Sequence, residues 1–418
     1  MASCTREAIP SIGILDNLLS PTSGDQFLRD YFGKCFLHLT GSKGKFSSLV
    51  PWNELNRVLE EHRIGSPRLR VVQCGKPIPV ETYLSKPDSI GPRLRAPELT
   101  NLLAQGATLV VDAFDELYKP VRDLAVELER IFRICVQVNL YAGWRTDQGF
   151  LLHYDEHDTV ILQVVGRKHW KVYRPTRLYP LEQGKDAEPA AKPLEEPIWD
   201  DILEDGGLLY IPRGWWHVAY PVDEPTLHLT VSLRNHRGLD VLIWFVKQLT
   251  NCTEVRQDIP HFADQDSQMA YMDKLRKQLV GRWSDDLLSR FLAEADAKTI
   301  MRPHFQLPDA ATTEGVVVHR SSQVRLTGPR RIDLSGKAEN GTRKFMCSRK
   351  TLYCCEAVLP VLERLNDGKL HAVQDLISIA PDQASNVLVF LQGLVLQGIL
   401  TTAAVTAANS ADVQGQKS

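Results

Sequence analysis

Two imidazoles and one carboxylate frame the chemistry of this chain. The stretch from Gly149 to Pro175, GFLLHYDEHDTVILQVVGRKHWKVYRP, carries His153 and Asp155 as a His-x-Asp pair. Downstream, YIPRGWWH supplies His217. Along an extended strand, residues i and i+2 share a face, so His153 and Asp155 project together while Leu152 and Tyr154 face away. One carboxylate and two imidazoles on a β scaffold are the parts of a facial triad for non-haem Fe(II). The pair alone is close to a chance event in a chain with 12 histidines, so its partners decide. His217 follows a Pro-x-Gly turn that would fix it at a barrel mouth. His228, in TLHLTVSL, is a rival for the third position.

Lys168 sharpens the reading. In KHWKVY, period two places Lys168 with Trp170 and Val172, the more apolar set, and His169, Lys171 and Tyr173 on the other face. A lysine pointing into a barrel is costly unless an anion meets it. Otherwise it snorkels at the strand end, just past the Gly166-Arg167 turn. A dicarboxylate cosubstrate would supply the anion. Ser232 lies on a polar row with Thr230, and Asn139 on one with Gln137 and Tyr141. The opposite rows, Leu229, Val231, Leu233 and Val138, Leu140, are apolar. If helices cover those, the polar rows line the interior, where ligand, metal or water must satisfy them.

The elements that position these residues are strands. From Ile134 the period changes to two, with strands expected at Phe150–Tyr154, Thr159–Val165, Lys168–Tyr173, Leu208–Ile211, His217–Tyr220 and Thr226–Leu233. Short strands in succession indicate an antiparallel barrel or double-sheet jelly roll. Before them, helices are expected at Trp52–His62 and Leu117–Phe132 and strands at Lys34–Thr40, Arg68–Cys74 and Ala107–Asp112. Pro180–Pro197 reads as a surface excursion without an apolar stripe. Leu239–Leu307 is helical and needs a partner surface in this chain or in a second copy. Beyond it come strands, a helix over Lys350–Asn366, and helices around Ala372–Ser378 and from Asp382, an order that suggests a winged-helix-like domain. The residues after Thr402 are small and polar and read as a disordered tail.

Bulk properties narrow the classes. With 418 residues, 43% hydrophobic and 24% charged, the composition is that of a globular protein of two or three domains. A net charge of −2 gives no electrostatic case for nucleic acid or an anionic membrane. Residues 315–402 are mildly basic, with 11 Lys/Arg against 7 Asp/Glu, but no Lys or Arg occurs between Lys369 and Lys417. The last helix therefore lacks side chains for reading bases or holding phosphates, and nucleic-acid binding is not expected. No apolar run reaches membrane-span length, and no signal-peptide pattern opens the chain. The eight cysteines form no C-x-x-C pair, and Cys354 and Cys355 read as buried free thiols. Reduced thiols suit a cytoplasmic location, with the nucleus or nucleolus open for a eukaryotic source.

The segments HYDEHD, GRKHW and YIPRGWWH resemble those of the JmjC-type, cupin-like 2-oxoglutarate oxygenases, most closely the ribosomal oxygenase subgroup that hydroxylates arginine or histidine side chains. The resemblance implies a mainly β fold: a double-stranded β-helix over 1–238, a helical dimerisation region over 239–307, a winged-helix-like domain over 308–403, and a tail over 404–418. It implies His153, Asp155 and His217 as ligands of Fe(II), and Lys168 as partner of the distal carboxylate of 2-oxoglutarate. It places Asn139 and Ser232 among cosubstrate-binding and active-site polar groups, and Tyr141 facing the substrate. Dioxygen is the implied co-reactant, the expected partners are a ribosomal protein substrate and a second copy of the chain, and, as the charge distribution indicates, neither a membrane nor nucleic acid is expected as a partner. His157 and Asp158 fall behind or at the rim of the site rather than in the chemistry. Gly206-Gly207 stands where the wider family usually has Gly-Asp, and Pro180–Pro197 matches no family motif, which leaves substrate choice open. The same chemistry on a peptide natural product, a small molecule or a methyl-lysine, or a cupin without activity, are the alternatives.

Overall fold

Period-two alternation becomes two antiparallel sheets with the chemistry between them. The computed structural model describes residues 13–181, 191–312, 315–334 and 338–403. The strands are β1 (Leu37–Leu39), β2 (Leu69–Gln73), β3 (Lys76–Pro77), β4 (Thr108–Val111), β5 (Cys135–Gly143), β6 (His153–Tyr154), β7 (Asp158–Val165), β8 (Lys168–Tyr173), β9 (Trp199–Leu203), β10 (Leu208–Ile211), β11 (Trp216–Pro221) and β12 (Thr226–Arg234). The major sheet has eight strands in the order β1-β10-β7-β12-β5-β4-β2-β3, and the minor sheet four in the order β6-β11-β8-β9. This is the jelly roll that the alternation predicts. Two compact units divide the chain, 1–235 and 236–418.

Alternation assigns the faces as expected. Val138, Leu140, Leu229, Val231 and Leu233 are buried on the outer face of the major sheet. They share a core with Val121, Leu124, Ala125 and Leu128 of the helix Lys119–Phe132. The polar rows of β5 and β12 therefore turn inward. Lys168, Trp170 and Val172 are buried while His169, Lys171 and Tyr173 are partly exposed. Between the sheets, Ile161, Val172, Leu203, Leu209 and Ile211 fill one end of the barrel. That apolar plug leaves the other end for polar side chains.

Two glycines are required where the sequence has them. Gly166 has φ +69°, and a Cβ there would stand 2.2 Å from the Pro225 carbonyl oxygen. Gly206 has φ +84°, and a Cβ there would stand 2.1 Å from the Ser42 carbonyl oxygen. The first makes the turn that delivers Lys168; the second lets the chain enter β10 against the 41–45 loop.

The expected strand Phe150–Tyr154 is shorter than its pattern. Only His153–Tyr154 pairs, because the Cys74 and Gly75 N–H groups donate to the Gln148 and Gly149 carbonyls (2.9 and 3.0 Å) and hold the preceding backbone off the sheet. β9 was not expected at all; its adjacent acids Asp200 and Asp201 hide the alternation.

The second unit contains the helices Gly238–Gln248, Gln265–Arg282 and Leu287–Lys298, as the helical periodicity of Leu239–Leu307 predicts. Beyond them, the strand Gln323–Leu326 pairs with His371–Ala372 and Leu400–Ala403. The helices Leu359–Leu365, Val373–Ile379 and Ala384–Leu396 share one core with this sheet. The helix expected over Lys350–Asn366 is corrected: Lys350–Cys355 is a strand paired with Thr342–Cys347, and the helix covers only Leu359–Leu365. Leu352 and Cys354 are buried while Thr351, Tyr353 and Cys355 are exposed, a period of two that the adjacent cysteines mask. Cys355 is thus exposed rather than buried. Among the described residues no single helix is long and apolar enough to cross a membrane; one bent pair, Val373–Ile379 with Pro381–Leu396, passes by length and composition, and its Leu376, Ile377, Leu391 and Leu394 are buried in the unit's core. The expected tail and residues 182–190 of the excursion lie outside the described residues.

Candidate active site

Cross-strand register brings the two imidazoles together. His153 on β6 pairs directly with His217 on β11. Asp155 follows β6, and its backbone carbonyl accepts from the Gly214 N–H (3.0 Å) in the turn before β11. His153 Nδ1 lies 2.8 Å from the Leu151 carbonyl, and His217 Nδ1 3.1 Å from the Trp215 carbonyl. A carbonyl oxygen only accepts, so each Nδ1 carries the proton and each Nε2 presents a lone pair. The two Nε2 atoms point to opposite oxygens of Asp155, 3.7 Å to Oδ1 from His153 and 3.7 Å to Oδ2 from His217. These separations exceed hydrogen-bond length, so the three groups converge without bonding one another. Ligand atoms from all three lie within 4.8 Å of one another.

The electrostatics suit a cation. Burial alone would raise the Asp155 carboxyl, but His217, His153 and His157 outweigh it and hold its pKa below the usual range. Burial, with the neighbouring His153, pushes His217 down to about 4. At neutral pH the site offers a carboxylate and a neutral imidazole, the protonation states that metal binding requires. A backbone carbonyl on the far nitrogen is also the usual support for a metal-bound histidine. The donor set therefore fits a divalent metal of the Fe(II) type.

A cavity of about 320 Å³ opens from this cluster between the sheets. His153, Asp155, His217, Lys168, Asn139, Tyr141 and Ser232 all line it. Lys168 is 5% exposed, and among the described residues no carboxylate pairs with it. Burial depresses its amine to about 8. Asn139 Oδ1 accepts from the Ala113 N–H and from Gln137 Nε2, both at 2.9 Å, which fixes its amide at the cavity wall. Tyr141 is raised above the ordinary phenol range, by burial first and then by Asp155, and keeps its proton. Ser232 is buried opposite Gln137 and Thr159.

His228, the rival ligand, stands elsewhere. Its ring stacks on Tyr141 (centroids 4.9 Å apart, 2° between planes) and meets Trp170 edge-on at 5.7 Å. Burial and then the Lys168 charge push its pKa well below the ordinary value, so the ring is neutral. Its Nδ1 is buried without a hydrogen-bond partner among the described residues. Alternation puts His228 on the same inward row as Thr230 and Ser232, so its place on the wall was readable, though not its neighbours. Arg70 also lines the cavity, held by two bonds to Asp112 (2.8 and 2.9 Å). No local motif marks that pair, since β2 and β4 join the sheet from far up the chain.

Residues 116–241 match the JmjC domain family model. The bifunctional lysine-specific demethylase and histidyl-hydroxylase NO66 of Drosophila pseudoobscura is 30% identical over 223 residues, 52% of this chain and 22% of that protein. Its namesake in Dictyostelium discoideum is 27% identical over 296 residues, 67% of this chain and 56% of that one. The chain thus spans between about a fifth and a little over half of these relatives' lengths. Among solved structures, the ribosomal oxygenase YcfD of Escherichia coli aligns with a TM-score of 0.57 at 18% identity, covering 92% of this chain and 98% of that one. A second YcfD structure, in complex with cobalt and 2-oxoglutarate, aligns with a TM-score of 0.55 at 17% identity, over 91% and 98% of the two chains. Residues 116–241, where His153, Asp155 and His217 converge inside a jelly roll, are thus the part of the chain that is similar to a JmjC domain.

Proposed function

We propose that the protein is an Fe(II)- and 2-oxoglutarate-dependent hydroxylase of an arginine or histidine side chain in a ribosomal protein. One observation carries the reading: an unpaired buried lysine and a two-imidazole, one-carboxylate cluster line the same cavity. Its relatives support the class, since one is named a histidyl-hydroxylase and another a ribosomal oxygenase whose complex holds cobalt and 2-oxoglutarate.

His153, Asp155 and His217 would hold the iron. When bound, Fe(II) with 2-oxoglutarate and dioxygen supplies oxidative decarboxylation of the keto acid coupled to hydroxylation of a substrate carbon. The chain's own residues bind, orient and exclude water. Lys168 gives the distal carboxylate of 2-oxoglutarate its counter-charge in a low-dielectric wall, with neutral His228 beside it as a hydrogen-bond donor. Trp170, Ile161 and Val172 close that end against water. Asn139 and Ser232 provide polar contacts along the cavity, and Tyr141, kept protonated, faces the substrate side with Phe150 edge-on to it at 6.0 Å. No side chain is required as acid or base.

The second unit fits an assembly role. Leu239, Leu242, Ile243 and Val246, at helical spacing i, i+3, i+4, i+7, are exposed on the helix Gly238–Gln248. That stripe suits a homodimer, and Val246→Glu would give a monomer in light scattering. The three helices and small sheet over 315–403 suit a winged-helix-like domain with a packing rather than a nucleic-acid role.

The test of the activity is mass spectrometry of ribosomal proteins from wild-type and deletion cells. Loss of one oxygen atom's mass from a single protein supports the proposal. A lysine that instead keeps a methyl group in the deletion strain would move the reading to demethylation. No succinate from 2-oxoglutarate with Fe(II) and any ribosomal extract would overturn both.

A further inference from the structure

Behind the metal cluster lies a buried carboxylate that this chemistry does not use. Asp158 opens β7 and is 3% exposed. Its Oδ1 accepts from the Arg213 backbone N–H at 2.8 Å. Its Oδ2 accepts from the Tyr210 hydroxyl at 2.7 Å and from Asn235 Nδ2 at 2.9 Å. The Tyr210 hydroxyl in turn accepts from the Gly33 N–H at 2.6 Å. A buried carboxylate with three donors is fully satisfied, and none of the three is itself a metal ligand or a cavity-lining group.

What these donors connect is specific. Arg213 sits in the Pro212-Arg213-Gly214 turn that leads into Trp215, Trp216 and His217. The neighbouring Gly214 N–H donates to the carbonyl of Asp155. Asp158 itself is three residues beyond Asp155 on the same segment. Two adjacent amides of one turn are therefore tied to the two ends of the Asp155–Asp158 segment, one through backbone and one through a carboxylate. The turn also supplies the Trp215 carbonyl that orients His217 through Nδ1. Asn235 draws the end of β12 into the same knot, and Tyr210, packed edge-on against Phe27 at 4.8 Å, anchors it to the N-terminal shell.

We propose that Asp158 is a positioning residue: it clamps the 212–215 turn so that His217 and Asp155 hold their metal-ready arrangement before any metal arrives. The clamp acts through the acceptor at Oδ1, not through charge on the metal face. The proposal rests on the reading of His153, Asp155 and His217 as ligands, and deepens it by naming what fixes their geometry.

The experiment uses the full-length protein and Co(II) as probe, following affinity by titration and the ligand field by visible absorption. Wild type and His217→Ala come first. Co(II) binding by wild type and its loss in His217→Ala establish the ligand reading; no binding by wild type would sink that reading and this one with it. With the ligands established, Asp158→Ala is expected to weaken Co(II) by roughly 10- to 100-fold, the usual effect of removing a group that orients ligands, and to alter the absorption bands. Asp158→Asn paired with Asn235→Asp keeps an acceptor for the Arg213 amide, gives the new Nδ2 a carboxylate to donate to, and is expected to recover most of that affinity. Unchanged affinity and spectrum in Asp158→Ala, or no recovery in the paired Asp158→Asn, Asn235→Asp exchange, overturns the proposal. Amide exchange on metal-free wild type tests it without any variant: Arg213 and Gly214 should already be protected, and free exchange that slows only when Co(II) is added would overturn it.

Discussion

His153 on β6 and His217 on β11 are direct cross-strand partners whose rings stand 4.4 Å apart, centroid to centroid. Their Nε2 lone pairs reach toward the two oxygens of one carboxylate. Neighbouring groups with the same unfilled direction gain most from a shared cation. Co(II) at a hundred times its Kd should raise the stability of the barrel by about 2.7 kcal/mol. His153→Ala, His217→Ala and Asp155→Ala should each lose that increment, read as a Co(II)-independent urea midpoint. A variant that keeps the full metal-dependent shift would remove its residue from the ligand set.

How much of this was legible in the chain can be seen residue by residue. Period two alone put His153 with Asp155, Lys168 with Trp170, and Ser232 with Thr230, because in a strand the sequence spacing is the face. It could not say that β6 pairs with β11, since register between strands more than sixty residues apart is set by packing. It missed β9, where Asp200 meets His169 and Lys171 on an outer face and breaks the apolar rhythm. It also read Lys350–Cys355 as helix, because two adjacent cysteines look like one apolar patch until burial separates Cys354 from Cys355. Arg70, Asp112 and the Asp158 knot are long-range contacts with no local mark.

Lys168→Met should separate stability from binding. The folded amine has a pKa of about 8 against 10.5 in an unperturbed lysine, so charging it inside the barrel costs roughly 3 kcal/mol at neutral pH. Below pH 8 both states are protonated and the folded state bears the whole cost. Stability then rises with pH between 8 and 10.5, where only the unfolded chain still holds the proton. Methionine removes both the cost and the slope. Lys168→Met should therefore have a higher urea midpoint at pH 7 than wild type in the absence of 2-oxoglutarate. Its affinity for 2-oxoglutarate should fall by on the order of 10- to 100-fold, the value of a hydrogen-bonded charge. A destabilised variant with intact affinity would place the anion elsewhere.

In the second unit, Arg330 and Asp296 form an ion pair with both side chains under a tenth exposed, Nε to Oδ1 3.3 Å. Removing one partner breaks a buried charge pair. Asp296→Ala should cost about 3–5 kcal/mol, and the paired change Asp296→Leu with Arg330→Met should cost much less. The measurement is the unfolding transition of residues 236–418 within the full chain, followed by the exposed Trp283 as a local fluorophore in variants lacking the other tryptophans. Equal losses in the single and double variants would show that the pair acts by packing rather than charge.

The pH dependence of 2-oxoglutarate affinity follows from the same lysine, with its own sign. In the proposed assignment the dianion binds the ammonium form. Below pH 8 the metal-free pocket already holds that form, so affinity should be flat. Above pH 8 the empty pocket loses the proton and binding must take it back from solvent. The Kd should then rise by about tenfold per pH unit until the pKa of the bound lysine is passed. Titration calorimetry in buffers of different ionisation enthalpy should register uptake approaching one proton at pH 9 and close to none at pH 7. In Lys168→Arg the charge persists across this range, so whatever affinity remains should lose the upper limb. A wild-type Kd that stays constant from pH 7 to 9.5 would mean that Lys168 is not the counter-charge, and the search would turn to Arg70 as the remaining basic side chain on the cavity wall.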